Sequence, residues 1–295
     1  MEHLDPKTRE VLERTPEDRI RYMQQVKWIG YPKALEILQE MEDMFHHPPS
    51  HRMPNLLIAS PTNNGKTMIR KQFLDRYPAT DNLDGDAASV PVFAVRMPAR
   101  PDPRRFYMAI LRKLFASYSD SDNLARLETQ AISLMESCGV RMLIIDDLHN
   151  MLAGRIDAQR QFLNMLRTLG DDLEASLVCL GTHHALRAIQ IDDQLANRFL
   201  PHILPTWQLD KSFRLLLNTY ETLLPLPERS FLARQDIAQY ILSKSEGTIG
   251  EAFALINTAA KMAIRADMPS INMSLLESCN YISPKDRRRA AERRF

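Results

Sequence analysis

The residues best placed to do chemistry lie in two short runs. The first is Ser60-Pro61-Thr62-Asn63-Asn64-Gly65-Lys66-Thr67, between the apolar run "NLLIA" and a helix-like pattern. Such a loop can wrap phosphate: successive N–H groups point inward and the start of a helix adds its positive end. Lys66 then reaches the β- and γ-phosphates of a nucleoside triphosphate, and the Thr67 hydroxyl ligates Mg²⁺. The usual spacing asks for glycine where Ser60 stands. Ser60 is small, however, and lies ahead of the wrap. Gly65, at the closest approach, is kept, and Asn63 and Asn64 tolerate left-handed backbone better than most residues. ATP and Mg²⁺ are the expected ligands.

The second run, "MLIIDDLHN" (142–150), is an apolar strand that ends in paired acids. Asp146 is placed to hold Mg²⁺ through water, and Asp147 to polarise the water that attacks the γ-phosphate. Paired acids alone also fit a solvated strand end. An apolar strand, paired acids and an upstream phosphate loop together are much more specific. Two weaker candidates follow. Thr182, after "SLVCLG", could contact the γ-phosphate or the attacking water; a turn residue after Gly181 explains it equally well. Arg198, in "QLANRFLPHILPTW", could stabilise transferring charge in a neighbouring subunit, though a lone arginine is usually a solvated surface group.

Positioning these groups requires a sheet. Strand-length apolar runs at 55–60, 91–97, 141–147, 176–182 and 202–206 alternate with helix-period segments such as 105–118 and 158–169. That alternation predicts an α/β fold with a parallel sheet flanked by helices, its strands buried on both faces. Both motifs then end at one carboxyl edge, where ligands bind. Residues 1–50 read as an N-terminal helical segment, with a helix start at Thr15-Pro16-Glu17-Asp18. Residues 51–207 read as the nucleotide-binding domain. Helical patterns at 211–224, 234–243, 248–266 and 273–281 read as a small all-helical domain over 208–283, and "SYSDSDN" (117–123) as a surface loop. Residues 284–295 read as a basic tail projecting after Ser283-Pro284 as a flexible arm.

The chain has 295 residues, 44% hydrophobic and 25% charged, with a formal net charge of +1. This is the composition of a globular protein and excludes a polycation. Charge is nevertheless uneven: "KDRRRAAERRF" holds six basic residues against two acids. It suits a polyanion or an acidic partner, and equally a solvated terminus. Cys138, Cys179 and Cys279 have neither metal-ligand spacing nor an even count, which points to a reduced, cytoplasmic compartment. No signal peptide is read at the charged N-terminus, and no apolar run approaches the roughly 20 residues that span a bilayer.

The set of motifs looks like an AAA+ P-loop NTPase. The flanking segments "RIRYMQQVKWIGYPKALEILQEMEDMF", "RMPNLLIASPTNNGKT", "LIIDDLHNMLAGRIDAQRQFLNMLRTLGDDL" and "QLANRFLPHILPTW" resemble the TniB family of transposition regulators, related to TnsC and MuB. The resemblance covers most of residues 10–265. It implies an ATPase, with Ser60 to Thr67 as nucleotide loop, Asp146 and Asp147 as second acidic motif, Thr182 as first sensor and Arg198 as trans arginine. Trp28 to Pro32 fall where such proteins often pack against adenine. The helical domain becomes a lid. The resemblance also implies that subunits stack on double-stranded DNA as a ring or helical filament. Its expected protein partners are a DDE-type transposase and a TniQ-type targeting protein. Candidate DNA contacts are Arg96, Arg100, Arg104, Arg105 and Arg155, which would touch phosphate and not read bases. Three departures stand out. Ser60 replaces glycine, Asp147 stands where most AAA+ enzymes carry glutamate, and Gly250 occupies the place of a second-sensor arginine. The last two imply slow hydrolysis. Rival readings are a helicase-loader or initiator-like ATPase, a signalling switch that never touches DNA, and a nucleotide-locked scaffold.

Overall fold

The computed structural model describes residues 2–82 and 87–292. Its helices begin with α1 (Pro6–Leu12), α2 (Pro16–Met23) and α3 (Pro32–Phe45). Then follow β1 (Asn55–Ala59), α4 (Lys66–Arg76), β2 (Val92–Arg96), α5 (Pro103–Lys113), α6 (Leu124–Ser137) and β3 (Met142–Asp146). After a 3₁₀ turn over Leu148–Ala153 come α7 (Ile156–Asp172), β4 (Ser176–Gly181), α8 (His183–Ile189), α9 (Asp193–Ala196) and β5 (Phe199–Ile203). The chain ends in α10 (Lys211–Glu221), α11 (Gln235–Lys244), α12 (Ile249–Arg265), α13 (Met273–Ser278) and α14 (Pro284–Glu292). Among the described residues no helix is long and apolar enough to cross a membrane.

The chain divides into two compact units. One comprises residues 33–61 and 66–204 and holds the sheet, with strand order β2-β3-β4-β1-β5. All four pairings are parallel. β1 and β4 are buried along their whole length, as expected of strands covered on both faces. Successive side chains point to opposite faces. Leu57, Leu143, Ile145, Leu177 and Cys179 join Phe106, Ile110, Phe162, Leu163 and Leu166 in one core. Phe106 and Phe162 meet edge to face at 5.4 Å between ring centres. β5 starts three residues earlier than expected. It lies at the sheet edge, where Pro201, which has no N–H to donate, is tolerated.

The other unit comprises residues 1–32, 62–65 and 205–295. The boundary expected near residue 50 therefore falls at 32: α1 and α2 belong with the C-terminal helices. The Arg19 guanidinium donates twice to the Pro225 carbonyl, at 3.0 and 2.6 Å, and Lys27 Nζ donates to Leu223 O at 3.0 Å. The buried Glu221 carboxylate accepts from the N–H groups of Ser230, Phe231 and Leu232, which organises the breaker "LLPLPERS".

The segment after Ser283 differs from the flexible arm expected there. It forms α14, because Ser-Pro-Lys-Asp is a helix start. Ser283 Oγ accepts from Asp286 N at 3.2 Å and donates to Asp286 Oδ2 at 2.7 Å. Arg287 and Arg288 pair with Glu251 and Glu246, each at 2.6 Å. Arg293 and Arg294 of the expected tail lie outside the described residues.

Candidate nucleotide site

The sheet unit carries most of the chemistry-bearing groups at its carboxyl edge. Ser60 follows β1 and is buried, its N–H donating to Gly181 O at 3.1 Å. Lys66 Nζ donates to Ser60 O, Ser60 Oγ and Pro61 O at 2.8–2.9 Å. The serine in the glycine position thus supplies an extra acceptor that orients the lysine. Burial pulls the Lys66 ammonium below its ordinary pKa, and the nearby charges of Asp146 and Asp147 oppose that. Thr67, exposed, is the second residue of α4 and lies in its first turn.

Asp146 is the last residue of β3, and one carboxylate oxygen accepts from Asp147 N at 2.9 Å. The other oxygen is 2.9 Å from Arg70 Nη1. Asp147 adopts a left-handed backbone, φ 59° and ψ 35°, and its carboxylate bonds Arg96 Nε. Arg96 ends β2 in register with Asp146, which explains the meeting. Arg96, a candidate DNA contact in the sequence, pairs with Asp147 while its side chain stays largely exposed, and that hydrogen bond raises its pKa. The sequence reasoning missed Arg70. Its signal was spacing: it lies one helical turn beyond Lys66 and Thr67, on the same face.

Thr182 starts α8, yet its hydroxyl makes no capping bond. Thr182 Oγ1 and His149 Nδ1 are buried without a partner among the described residues. His149 lies against Gly181, where a Cβ would come 3.3 Å from His149 N. Two buried polar atoms with nothing to bond suit a site that receives a polar ligand or water. Arg198 is tied to Asp171 at 2.6 Å and is largely buried.

The crown of the loop, 62–65, belongs to the helical unit. Asn63 and Gly65 have φ of 60° and 97°, the left-handed conformations that the sequence anticipates there. Gly250 N donates to Asn63 O at 3.0 Å, and Asn64 Oδ1 accepts from Ile249 N at 3.3 Å. A Cβ on Gly250 would stand 2.0 Å from Asn63 Oδ1, so any side chain at the second-sensor position would first have to turn the Asn63 amide aside. Of the segment expected near adenine, Tyr31 packs edge-on to Trp207 at 5.0 Å, and burial pushes its hydroxyl pKa up to about 12.

Of the remaining arginines, Arg104 Nη2 donates to the carbonyls of Asp120 and Asp122 and so folds the 117–123 loop. Arg105 faces Asp102 at 3.4 Å with an exposed side chain. Arg100 and Arg155 are exposed. Arg100, Arg104 and Arg105 line a groove of about 640 Å³.

The family model for "Bacterial TniB protein" matches residues 19–209, about two thirds of the chain. This chain belongs to the TniB family. Solved structures similar to the TniB chain share its fold at low identity. The ORC2 protein of Aeropyrum pernix in its ADP form is 13% identical, with TM-score 0.62 over 87% of this chain and 70% of that one. CDC6P from Pyrobaculum aerophilum is 15% identical, with TM-score 0.60 over 86% and 68%. The A. pernix ORC1 protein in complex with DNA is 14% identical, with TM-score 0.58 over 88% and 68%. No curated protein matches. The TniB chain is thus an AAA+ ATPase with a P-loop, a five-stranded parallel sheet flanked by helices, and C-terminal helices.

Proposed function

We propose that this protein is an ATP-dependent, sequence-nonspecific DNA-binding regulator of transposition. It binds ATP with Mg²⁺, oligomerises on target duplex, and recruits and activates a DDE-type transposase; a TniQ-type protein is a further partner. The observation that carries this reading is the TniB match spanning both the phosphate loop and the acid pair. Asn63, Asn64, Gly65 and Lys66 hold the phosphates, while Thr67 and Asp146 are the residues that would hold Mg²⁺. That donor set suits an ion usually bound by one or two carboxylates plus phosphate oxygens. Bound Mg²⁺ would neutralise charge developing between the β- and γ-phosphates. Asp147 takes the proton of the attacking water once Arg96 releases it, and the unpartnered Thr182 hydroxyl orients that water or the γ-phosphate.

Arg198 is the proposed trans residue. Replacing it with alanine should spare ATP binding by the monomer and weaken ATP-driven assembly, read by light scattering. Equal assembly would assign Arg198 only to its pair with Asp171.

DNA binding should be blind to sequence and steeply weakened by salt. The exposed side chains of Arg100 and Arg105 are the better phosphate contacts; Arg155 is a further exposed candidate. Replacing both by alanine should lower the log–log salt slope by about 1.8 per subunit. Arg104→Ala should lower the melting temperature with little change of slope, because Arg104 holds the 117–123 loop. An unchanged slope in the double variant would remove these arginines from the interface.

Electron microscopy with duplex DNA and an ATP analogue tests the whole reading: continuous coats are expected, and a bare duplex would overturn it. The fold shared with the ORC and CDC6 proteins makes an initiator-like ATPase the second reading. Pulldown of helicase in place of transposase would select it.

A further inference from the structure

The helical unit contains a chain of contacts that the proposed reaction does not use. Glu251 is the third residue of α12, and its side chain is only 13% exposed. One carboxylate oxygen accepts from Asn63 Nδ2 at 3.2 Å. The other accepts from the Tyr281 hydroxyl at 2.7 Å and pairs with Arg287 Nη2 at 2.6 Å. A single carboxylate therefore joins the crown of the nucleotide loop to the C-terminal helix. The adjacent N–H groups of Gly250 and Ile249 hold the same crown.

We propose that Glu251 is a positioning residue for the nucleotide loop, and that Arg287 of the C-terminal helix sets the charge Glu251 presents to bound ATP. The inference rests on the reading of residues 60–67 as a nucleotide loop. Asn63 sits in a left-handed conformation that a neighbouring hydrogen bond helps to hold. A carboxylate beside a triphosphate loop repels the ligand it helps to shape. Arg287 offsets that repulsion, and Tyr281 fixes the carboxylate's orientation. Burial opposes the charged form of Glu251, yet its partners hold its pKa below the ordinary carboxylate value, so the carboxylate stays ionised. An arginine at 250 would displace the Asn63 side chain, and with it the bond from Asn63 to Glu251. The C-terminal helix supplies a cation by another route.

The experiment is titration of the full chain with ATP and ADP by calorimetry. Arg287→Ala should weaken ATP binding about fivefold to tenfold, within the usual range of coupling between sites. Arg287→Lys should restore most of it. Glu251→Gln should bind ATP at least as tightly as wild type, and adding Arg287→Ala to Glu251→Gln should cost nothing more. Arg288→Ala removes the same charge from the same helix but severs a link to Glu246, so it should leave affinity unchanged. Equal affinity of Arg287→Ala and wild type would overturn the proposal. So would an equal loss in Arg288→Ala, or a double variant as weak as Arg287→Ala alone. A wild-type chain that binds no nucleotide would overturn the nucleotide reading itself, an outcome distinct from these.

Discussion

Lys66→Ala is expected to abolish measurable ATP binding while the protein keeps its fold. The ammonium donates to three oxygens of the loop end, Ser60 O, Ser60 Oγ and Pro61 O. Without it, Ser60 Oγ still donates to Pro61 O at 2.9 Å, so the loop keeps part of its bonding. The ligand loses more. A hydrogen bond to a charged group contributes about 1.5–3 kcal/mol, and Lys66 is expected to serve two phosphates. Affinity should therefore fall by about a hundredfold or more, since 1.4 kcal/mol is roughly tenfold. Calorimetry gives the affinity, and thermal melting with and without ATP checks the fold. Wild-type melting should rise with ATP and the variant's should not. Unchanged affinity in a folded variant would remove residues 60–67 from nucleotide binding.

Asp147→Asn should bind ATP as well as the parent and hydrolyse it about a hundredfold more slowly, the usual scale for losing a general base. Asparagine is the replacement that tests charge alone. It has nearly the same shape and accepts the left-handed backbone found at 147. The variant also loses its ion pair with Arg96. Assemblies that need bound ATP should outlast those of the parent, which electron microscopy over time can follow. Single-turnover phosphate release measures the chemical step. Equal rates would move the role to Asp146 or to His149, whose Nδ1 is buried without a partner among the described residues.

Much of the sheet unit was legible because its signals are local. "NLLIA", "MLIID" and "SLVCLG" are continuous apolar runs of strand length, and each ends in or just before a chemistry-bearing residue (Ser60, Asp146, Thr182) at the same edge. α6 left a fainter trace. Its buried face is Leu127, Ala131 and Met135, a stripe one residue wide with a small residue at its centre. At the C-terminal segment Ser-Pro disfavours continuation of the preceding helix, but in sequence it equally begins a new one, and α14 is that helix. Other features depend on contacts that no local pattern carries. The bond from Arg19 to Pro225 spans 206 residues and draws the N-terminus into the helical unit. Arg96 meets Asp147 only because β2 and β3 are paired in one register. Gly250 looks like a missing arginine in the sequence. In the structure it lies against the Asn63 amide, 187 positions earlier and 2.0 Å from where a Cβ would stand.

The left-handed backbone at residue 147 also bears on how this enzyme could change under mutation. Aspartate and glutamate codons differ by one nucleotide, so glutamate, the commoner residue at this position in AAA+ enzymes, is a single step away. The backbone discourages that step. Aspartate and asparagine visit the left-handed region several-fold more often than residues with longer side chains, because their short polar groups bond locally. Glutamate at 147 would add a methylene at a strained position and displace the carboxylate from Arg96 before any gain in rate. Selection for faster turnover therefore meets a backbone barrier first, and the turn after β3 would have to relax before the side chain could lengthen. The conformation of this turn, as well as the identity of its acid, thus holds residue 147 to a short side chain.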